Sequence, residues 1–156
     1  MEKLIQCMLV AFANNFTFYL KAHNYHWAVS GETFKQDHEF LGEIYTAAQE
    51  AIDDYAEQLR RIGAFPQGDI KEIVANSSII DAPLNQMTEA NLIYLNLLAD
   101  LEVMCQKQAA DMGYELEFFQ SNYEGALVEK IHEAGKAYKA GQLKGVVFNP
   151  GAYTHT

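Results

Sequence analysis

Residues 41–62 read LGEIYTAAQEAIDDYAEQLRRI and carry the clearest structural pattern in the chain. Their apolar side chains recur every three or four residues, which is the spacing of one face of an α-helix. Polar and charged residues fill the positions between them, so the segment predicts a long amphipathic helix with one buried face. The stripe comprises Leu41, Ile44, Ala48, Ile52, Tyr55, Leu59 and Ile62.

Helical spacing recurs on both sides of this segment. The only prolines are Pro66, Pro83 and Pro150, which leave residues 1–65 and 84–149 as two long stretches without proline. Ser30-Gly31 interrupts the first stretch and Gly113 the second, so we predict four long helices. The third helix shows an apolar stripe of Leu92, Leu95, Leu98, Leu101 and Cys105, and the fourth a stripe of Leu116, Phe119, Tyr123, Leu127, Ile131, Ala134 and Tyr138.

A long connection separates the second and third predicted helices. It runs from Gly63 to Met87, and a short helix is predicted within it at Ile70–Ala75. The pattern of a short link, a long crossover and a short link is that of a ferritin-like four-helix bundle. We therefore predict an all-α fold, with one ferritin-like domain over residues 1–145 and a C-terminal tail over residues 146–156.

The charge of the chain argues against a nucleic-acid partner. The 156 residues carry a formal net charge of −10, and DNA binding needs clustered positive charge. Lys130 to Thr156 carries a net charge of +3, which leaves −13 on the remainder. Two cysteines do not form a disulfide framework, so we expect a reducing compartment and a cytoplasmic protein. No apolar run reaches the length of a membrane span.

Four side chains have the chemistry and spacing of metal ligands. His26 precedes the Ser30-Gly31 break and His38 follows it, so an antiparallel helical pair places the two imidazoles opposite one another. Asp53 and Glu57 are four residues apart and share one helical face. Two imidazoles with two carboxylates suit Fe(II), Mn(II) or Zn(II).

One chain cannot bring all four donors to one ion. His38 and Asp53 lie on the same predicted helix, separated by about 22 Å at 1.5 Å per residue. If the four residues form one site, the carboxylates must come from a second subunit, most simply across a twofold axis. Spacing alone also allows solvated histidines and a surface ion-pair face of Asp53 and Glu57 with the nearby arginines.

A family resemblance favours the metal site over solvated histidines and a surface ion-pair face. The run His26-Trp27-Ala28-Val29-Ser30-Gly31 is followed by His38-Glu39 and by Asp53-x-x-Ala56-Glu57-x-x-Arg60. Together with the crossover sequence from Arg61 to Pro66, it resembles the Dps family of miniferritins. The resemblance is dense over residues 15–90 and continues only as a helical pattern to about residue 140.

This resemblance implies a cage of twelve subunits that oxidises Fe(II) and stores the ferric mineral. Its iron-oxidising site would take His26 and His38 from one chain and Asp53 and Glu57 from the twofold-related chain. Hydrogen peroxide would be the preferred oxidant, with O2 as the alternative, and Zn2+ or Mn2+ could replace iron. DNA binding is not expected, because the chain lacks the lysine-rich flexible tail of DNA-binding members.

Other roles also follow from the resemblance. The family has an acidic ligand one turn after the second histidine, where this chain has Gly42, so the second iron position is expected to be weakened. Trp27 would lie beside the irons and trap stray oxidising equivalents, or simply pack there. The possible mineral-nucleating residues are Glu39 and Glu43, and the possible pore residues are Asp111, Glu115 and Glu117.

Two alternatives remain open. A ferritin or bacterioferritin with a di-iron site inside each bundle needs Glu-x-x-His on two helices, and this chain has it only at Glu129 and His132. The other is a non-catalytic ferritin-like shell or assembly protein with a degenerate metal site, of which Gly42 would be the first sign.

Overall fold

The computed structural model describes residues 1–80 and 87–148. These residues contain five α-helices and no β-strand. This confirms the predicted all-α class. The helices are α1 (Glu2–Ala28), α2 (Phe34–Arg61), α3 (Ile70–Asn76), α4 (Ala90–Met112) and α5 (Glu124–Lys139). The predicted tail lies outside the described residues from position 149 onward. None of these helices is long and apolar enough to cross a membrane.

Helices α1 and α2 form a long antiparallel pair joined by a five-residue link. Gly31 in this link has a φ of +129°, a value that L side chains rarely adopt, so a glycine is needed at the reversal. The chain leaves α2 through Gly63, whose φ is +81°, and the amide of Ala64 donates to the carbonyl of Leu59 at 2.9 Å. This left-handed exit ends the helix where the predicted apolar stripe ends.

The core lies along α1, which packs against α2, α3 and α4. Leu41 and Leu59, two members of the predicted α2 stripe, are fully buried against it. Each fully buried leucine contributes roughly 1.5–3 kcal/mol to the free energy of unfolding. The stripe therefore determines which face of α2 packs against α1. Ile93 and Leu97 of α4 complete the larger cluster with Phe18 of α1.

The short crossover helix lies where the sequence predicted it. Asp69 caps α3 by accepting a hydrogen bond from the amide of Glu72 at 3.1 Å. The segment after α3 is tied to α1 because the buried side chain of Asn14 accepts the amide of Ser78 at 2.6 Å. The crossover therefore packs against α1.

The apolar stripe that the sequence shows in α4 is not the face that the single chain buries. Leu92, Leu95, Leu98 and Leu101 are 42–63% exposed, and Cys105 is exposed as well. The buried positions are instead Ile93, Leu97, Met104 and Ala109. Apolar residues lie on more than one face of α4, so the spacing of its leucines could not determine which face meets α1.

The fourth long helix forms only in part. It was predicted from soon after Gly113, but residues 114–120 belong to no helix and α5 begins at Glu124. No side chain of α5 is buried. The chain divides into two compact units, Met1–Leu116 and Glu117–Thr156, so the predicted domain of residues 1–145 spans both.

Candidate metal site

The link between α1 and α2 brings two histidines together. His26 lies in the last turn of α1 and His38 in the second turn of α2. Their rings stack with centroids 3.6 Å apart and planes inclined by 23°. The antiparallel pair therefore places the two imidazoles as the sequence predicted, and both side chains are half-buried.

Each histidine is oriented by the backbone of the other. Nδ1 of His26 lies 2.7 Å from the carbonyl oxygen of His38, and Nδ1 of His38 lies 2.8 Å from the carbonyl oxygen of His26. A carbonyl oxygen only accepts hydrogen bonds, so both Nδ1 atoms carry the proton. In its neutral form each ring then has its lone pair on Nε2, which is the arrangement of a metal-ligating imidazole held by a backbone carbonyl.

Aromatic side chains surround this pair. His23 stacks on Tyr45 with centroids 4.0 Å apart, and Trp27 lies 4.3 Å from His23. Desolvation by burial, followed by the charge of His26, lowers the pKa of His23 below its usual value of 6.5. His23 therefore tends to stay neutral beside His26. Trp27 is 65% exposed, so it borders the site and does not fill the core.

Gly42 leaves open space beside His26. A Cβ atom placed on Gly42 would lie 3.7 Å from Nδ1 and Cε1 of His26 and 4.0 Å from Cε1 of Tyr45, which are ordinary contact distances. An open cavity of about 630 Å³ lies over this position. Its lining includes the two predicted nucleation residues and a further acid: Glu39, Gly42, Glu43, Tyr45, Thr46, Ala47 and Glu50.

The two predicted carboxylate ligands lie on the exposed surface of α2. Asp53 and Glu57 are both exposed, and Glu57 forms an ion pair with Arg61 at 3.2 Å. Within the described part of a single chain, no group of three or more histidine, cysteine, aspartate or glutamate side chains could hold a metal ion. Within one chain, the side chains of His26 and His38 thus lie together, and Asp53 and Glu57 do not join them in one metal site.

The predicted pore residues do not share a helix. Asp111 is in the last turn of α4 and pairs with Lys107, while Glu115 follows that helix. Glu117 belongs to the second unit, where it accepts a hydrogen bond from Lys130 that raises the pKa of that lysine. None of the three lies in α5, and their role in a pore stays a prediction.

Asp37 connects the start of α2, next to His38, to α4. Its carboxylate accepts hydrogen bonds from Thr33 and Tyr94, each at 2.7 Å. The bond from Thr33, followed by that from Tyr94, lowers the pKa of Asp37. Burial together with Asp37 raises the pKa of Tyr94 to about 12. This contact helps to hold the turn of α2 that carries His38.

A family model, Ferritin-like domain, matches residues 10–110, more than half of the chain. The chain belongs to the ferritin-like family. The same fold is found in Dps from Vibrio cholerae O1, at a TM-score of 0.65 and 21% identity over 90% of this chain and 76% of that one. Dps from Listeria monocytogenes matches at a TM-score of 0.64 and 23% identity over 88% and 84% of the two chains. The predicted resemblance to Dps proteins is confirmed at the level of the fold.

A second family model, Dehydroquinase class II, matches residues 84–156 of this ferritin-like chain. The 3-dehydroquinate dehydratase of Marinomonas sp. (strain MWYL1) is 63% identical over 59 residues, which are 38% of this chain and 39% of that protein. The corresponding protein of Bacillus cereus (strain B4264) is 49% identical over 67 residues, 43% and 42% of the two chains. The chain spans about two fifths of the length of these curated relatives.

The two family matches overlap over residues 84–110, which contain most of α4. The sequence analysis did not predict the second family match. Two features of the sequence nevertheless differ between the two ends of the chain. The charge turns positive after Lys130, and the Dps-like motifs thin out after residue 90. Residues beyond 110, where the predicted fourth helix is incomplete, lie outside the ferritin-like match.

Proposed function

We propose that the ferritin-like part of this chain binds and oxidises Fe(II). The observation that carries the proposal is the reciprocal hydrogen bonding of His26 and His38, which leaves Nε2 of each ring with a free lone pair. A second copy of the chain supplies Asp53 and Glu57 across a twofold axis, because one chain offers no group of three donors among its described residues. The partner of this half-site is therefore another subunit.

The four donors have complementary roles in the proposed reaction. The carboxylates hold the more tightly bound iron and stabilise Fe(III), while the neutral imidazoles help to bind the second iron. Each of two Fe(II) ions gives one electron to hydrogen peroxide, so its O–O bond breaks to give two hydroxide ions, which two protons convert to water, and no hydroxyl radical is released. O2 is the alternative oxidant, and Zn2+ or Mn2+ would occupy the same donors as substitutes.

Storage of the oxidised iron requires that the subunits assemble into a hollow cage. We propose a cytoplasmic cage, of twelve subunits as in the family, with the ferric mineral inside. Glu39 and Glu43 border the cavity over Gly42, where exposed carboxylates can bind ferric ions. Trp27 directly follows the proposed ligand His26 in the chain, and in this position it would take up stray oxidising equivalents from the iron. The net charge of −10 per chain disfavours DNA as a partner.

Anaerobic titration of metal-free protein with Fe(II), followed by a pulse of hydrogen peroxide, tests this function. Ferric absorbance reports oxidation, and the expected result is two Fe(II) bound per site with about one peroxide consumed per two irons. Binding of one iron or none, with oxidation no faster than in protein-free buffer, would instead identify a non-catalytic ferritin-like shell. Gly42 is the residue that favours this alternative, because glycine has no side chain that could bind the second iron.

A second candidate function concerns residues 84–156. We propose that this segment contributes part of a 3-dehydroquinate dehydratase, on the observation of 63% identity over 59 residues to the Marinomonas protein. Because only 39% of that protein is matched, the segment needs the remainder for activity. Its test is dehydration of 3-dehydroquinate after the missing part has been supplied, as designed below.

A further inference from the structure

Two segments on either side of α5 have backbones that pair with no other described residue. Residues 117–120 (EFFQ) and 143–148 (LKGVVF) belong to no helix or strand. Within the described part of the chain, no backbone hydrogen bond involves either segment. Backbone N–H and C=O groups left without protein partners, in a row, are what an edge strand presents to a further strand.

The same segments expose apolar side chains. Phe118 and Phe119 are 46% and 48% exposed, and Val146 and Phe148 are 58% and 49% exposed. Val147 is completely exposed. Soluble proteins rarely leave a continuous run such as Val146 to Phe148 in water, and such surfaces mark interaction sites.

An apolar cavity of about 420 Å³ lies between α5 and the second segment. Its lining is formed by Ile131, Ala134, Gly135, Tyr138, Gly145, Val146 and Phe148. The apolar side of α5 therefore faces Val146 and Phe148, and none of the described residues closes the cavity over them. No side chain of α5 is buried, nor is any other described residue from 117 to 148.

The two segments flank α5 in the order of a strand–helix–strand unit, although neither is a strand in the structure. A strand, a helix and a second strand in sequence form the crossover unit of a parallel sheet. Continuous apolar runs such as GVVF are typical of strands that are covered on both faces in such sheets. One crossover unit alone cannot supply the neighbouring strands or the second layer.

We propose that residues 117–148 form a docking unit for a polypeptide that carries the other three fifths of a class II dehydroquinase-type chain. That polypeptide would add strands to the two segments and cover the cavity beside α5. The inference rests on the second candidate function for its choice of partner, since the matched relative is 63% identical where it aligns and 61% of its length is unmatched. It does not depend on the iron site.

The test mixes the full chain with the part of the Marinomonas enzyme that the match leaves out. That part is the enzyme without its matched 59 residues, added as one polypeptide or as two if the match is internal. Complex formation is measured by sedimentation, and backbone protection by hydrogen exchange. We expect amide exchange at residues 117–120 and 143–148 to slow by at least about tenfold on mixing. Dehydration of 3-dehydroquinate is followed in the same samples by the ultraviolet absorbance of its conjugated product.

Two variants at one position serve as a matched pair. Val147→Pro removes one N–H group from a residue that makes no backbone hydrogen bond to another described residue, so α5 should keep its helical circular dichroism. Val147→Thr keeps the N–H group and the β-branched shape. We expect Val147→Pro to abolish the protection and Val147→Thr to retain it.

The outcomes separate the two proposals. Absence of a complex, or equal protection with both variants, would overturn the docking unit. Protection that appears with this chain alone as its concentration rises would also overturn it, because the occupant would then be a second copy. Protection with the Marinomonas piece but no dehydration would support the docking unit and remove the second candidate function.

Discussion

His26 and His38 each donate a hydrogen bond from Nδ1 to the other's backbone carbonyl, at 2.7 and 2.8 Å. The carbonyls remain when either side chain is replaced, so the remaining ring keeps its orientation and its free Nε2. His26→Gln and His38→Gln should therefore each lose one donor without unfolding α1 or α2. We expect Zn(II) affinity to fall by at least roughly tenfold in calorimetric titrations.

The exposed His132 on α5 provides the control for this pair. His132→Gln should leave the affinity unchanged, because that side chain is not part of the candidate site. Equal affinity losses in all three variants would show that Zn(II) binds histidines at the surface in general.

Asp53→Ala combined with Glu57→Ala should give a folded protein that no longer oxidises Fe(II) rapidly. The ion pair of Glu57 with Arg61 is exposed, so its loss costs little stability. Asp54→Ala with Gln58→Ala changes the neighbouring exposed positions of α2 and should oxidise iron at the normal rate. Normal ferric absorbance kinetics in the Asp53 and Glu57 double variant would remove these carboxylates from the mechanism.

Gly42→Asp should accelerate iron oxidation, because it adds a carboxylate beside His26 in space that a Cβ can occupy. Gly42→Ala is the matched control, since it fills the same space and stabilises the helix by up to about 1 kcal/mol without adding a ligand. Stopped-flow ferric absorbance distinguishes the two. A rate that rises equally in both variants would assign the gain to helix stability, and no rise in either would mean that Gly42 is already compensated.

Tyr94→Phe should destabilise the protein at neutral pH but much less in acid. Hydrogen bonds lower the pKa of Asp37 in the folded state, so they stabilise the fold above its unfolded value of 3.8. That stabilisation is lost as the pH falls through the lowered pKa. The difference in urea midpoint between wild type and Tyr94→Phe should therefore shrink below pH 3.8. A difference independent of pH would show that the contact acts by packing alone.

Lys21→Ala should be among the most destabilising single changes in α1. Lys21 is 2% exposed, and its Nζ lies 2.5 Å from a carboxylate oxygen of Asp100, whose side chain is 13% exposed. Removing one partner of such a pair leaves a buried charge, at a cost of about 3 kcal/mol in urea unfolding. The double variant Lys21→Met with Asp100→Leu should recover most of this loss, since it removes both charges. A double variant as unstable as Lys21→Ala would show that the ion pair itself stabilises the fold.

Several features of the fold and site were predictable because they depend on spacing within one or two neighbouring helices. The apolar repeat from Leu41 to Leu59 determined which face of α2 is buried. The short link at Gly31 determined that His26 and His38 meet. The predicted crossover begins at Gly63, just after the end of α2, and the helix predicted within it at Ile70–Ala75 is α3.

Other features depend on groups that are distant in the sequence. Leu92 and Ile93 are adjacent and both apolar, so only packing against α1 determined that Ile93 is buried and Leu92 exposed. The tautomers of the two histidines depend on carbonyls across the α1–α2 pair.

The sequence by itself determined the helices of residues 1–80, the facing histidines and the charge of the chain, since local periodicity and composition encode them. Only the tertiary structure decided the buried face of α4, the orientation of the imidazoles and the late start of α5 at Glu124. The physical reason is that helical spacing defines which residues share a face. Which of two apolar faces becomes buried, and which nitrogen of a histidine is protonated, depends on the partner that another segment brings to it.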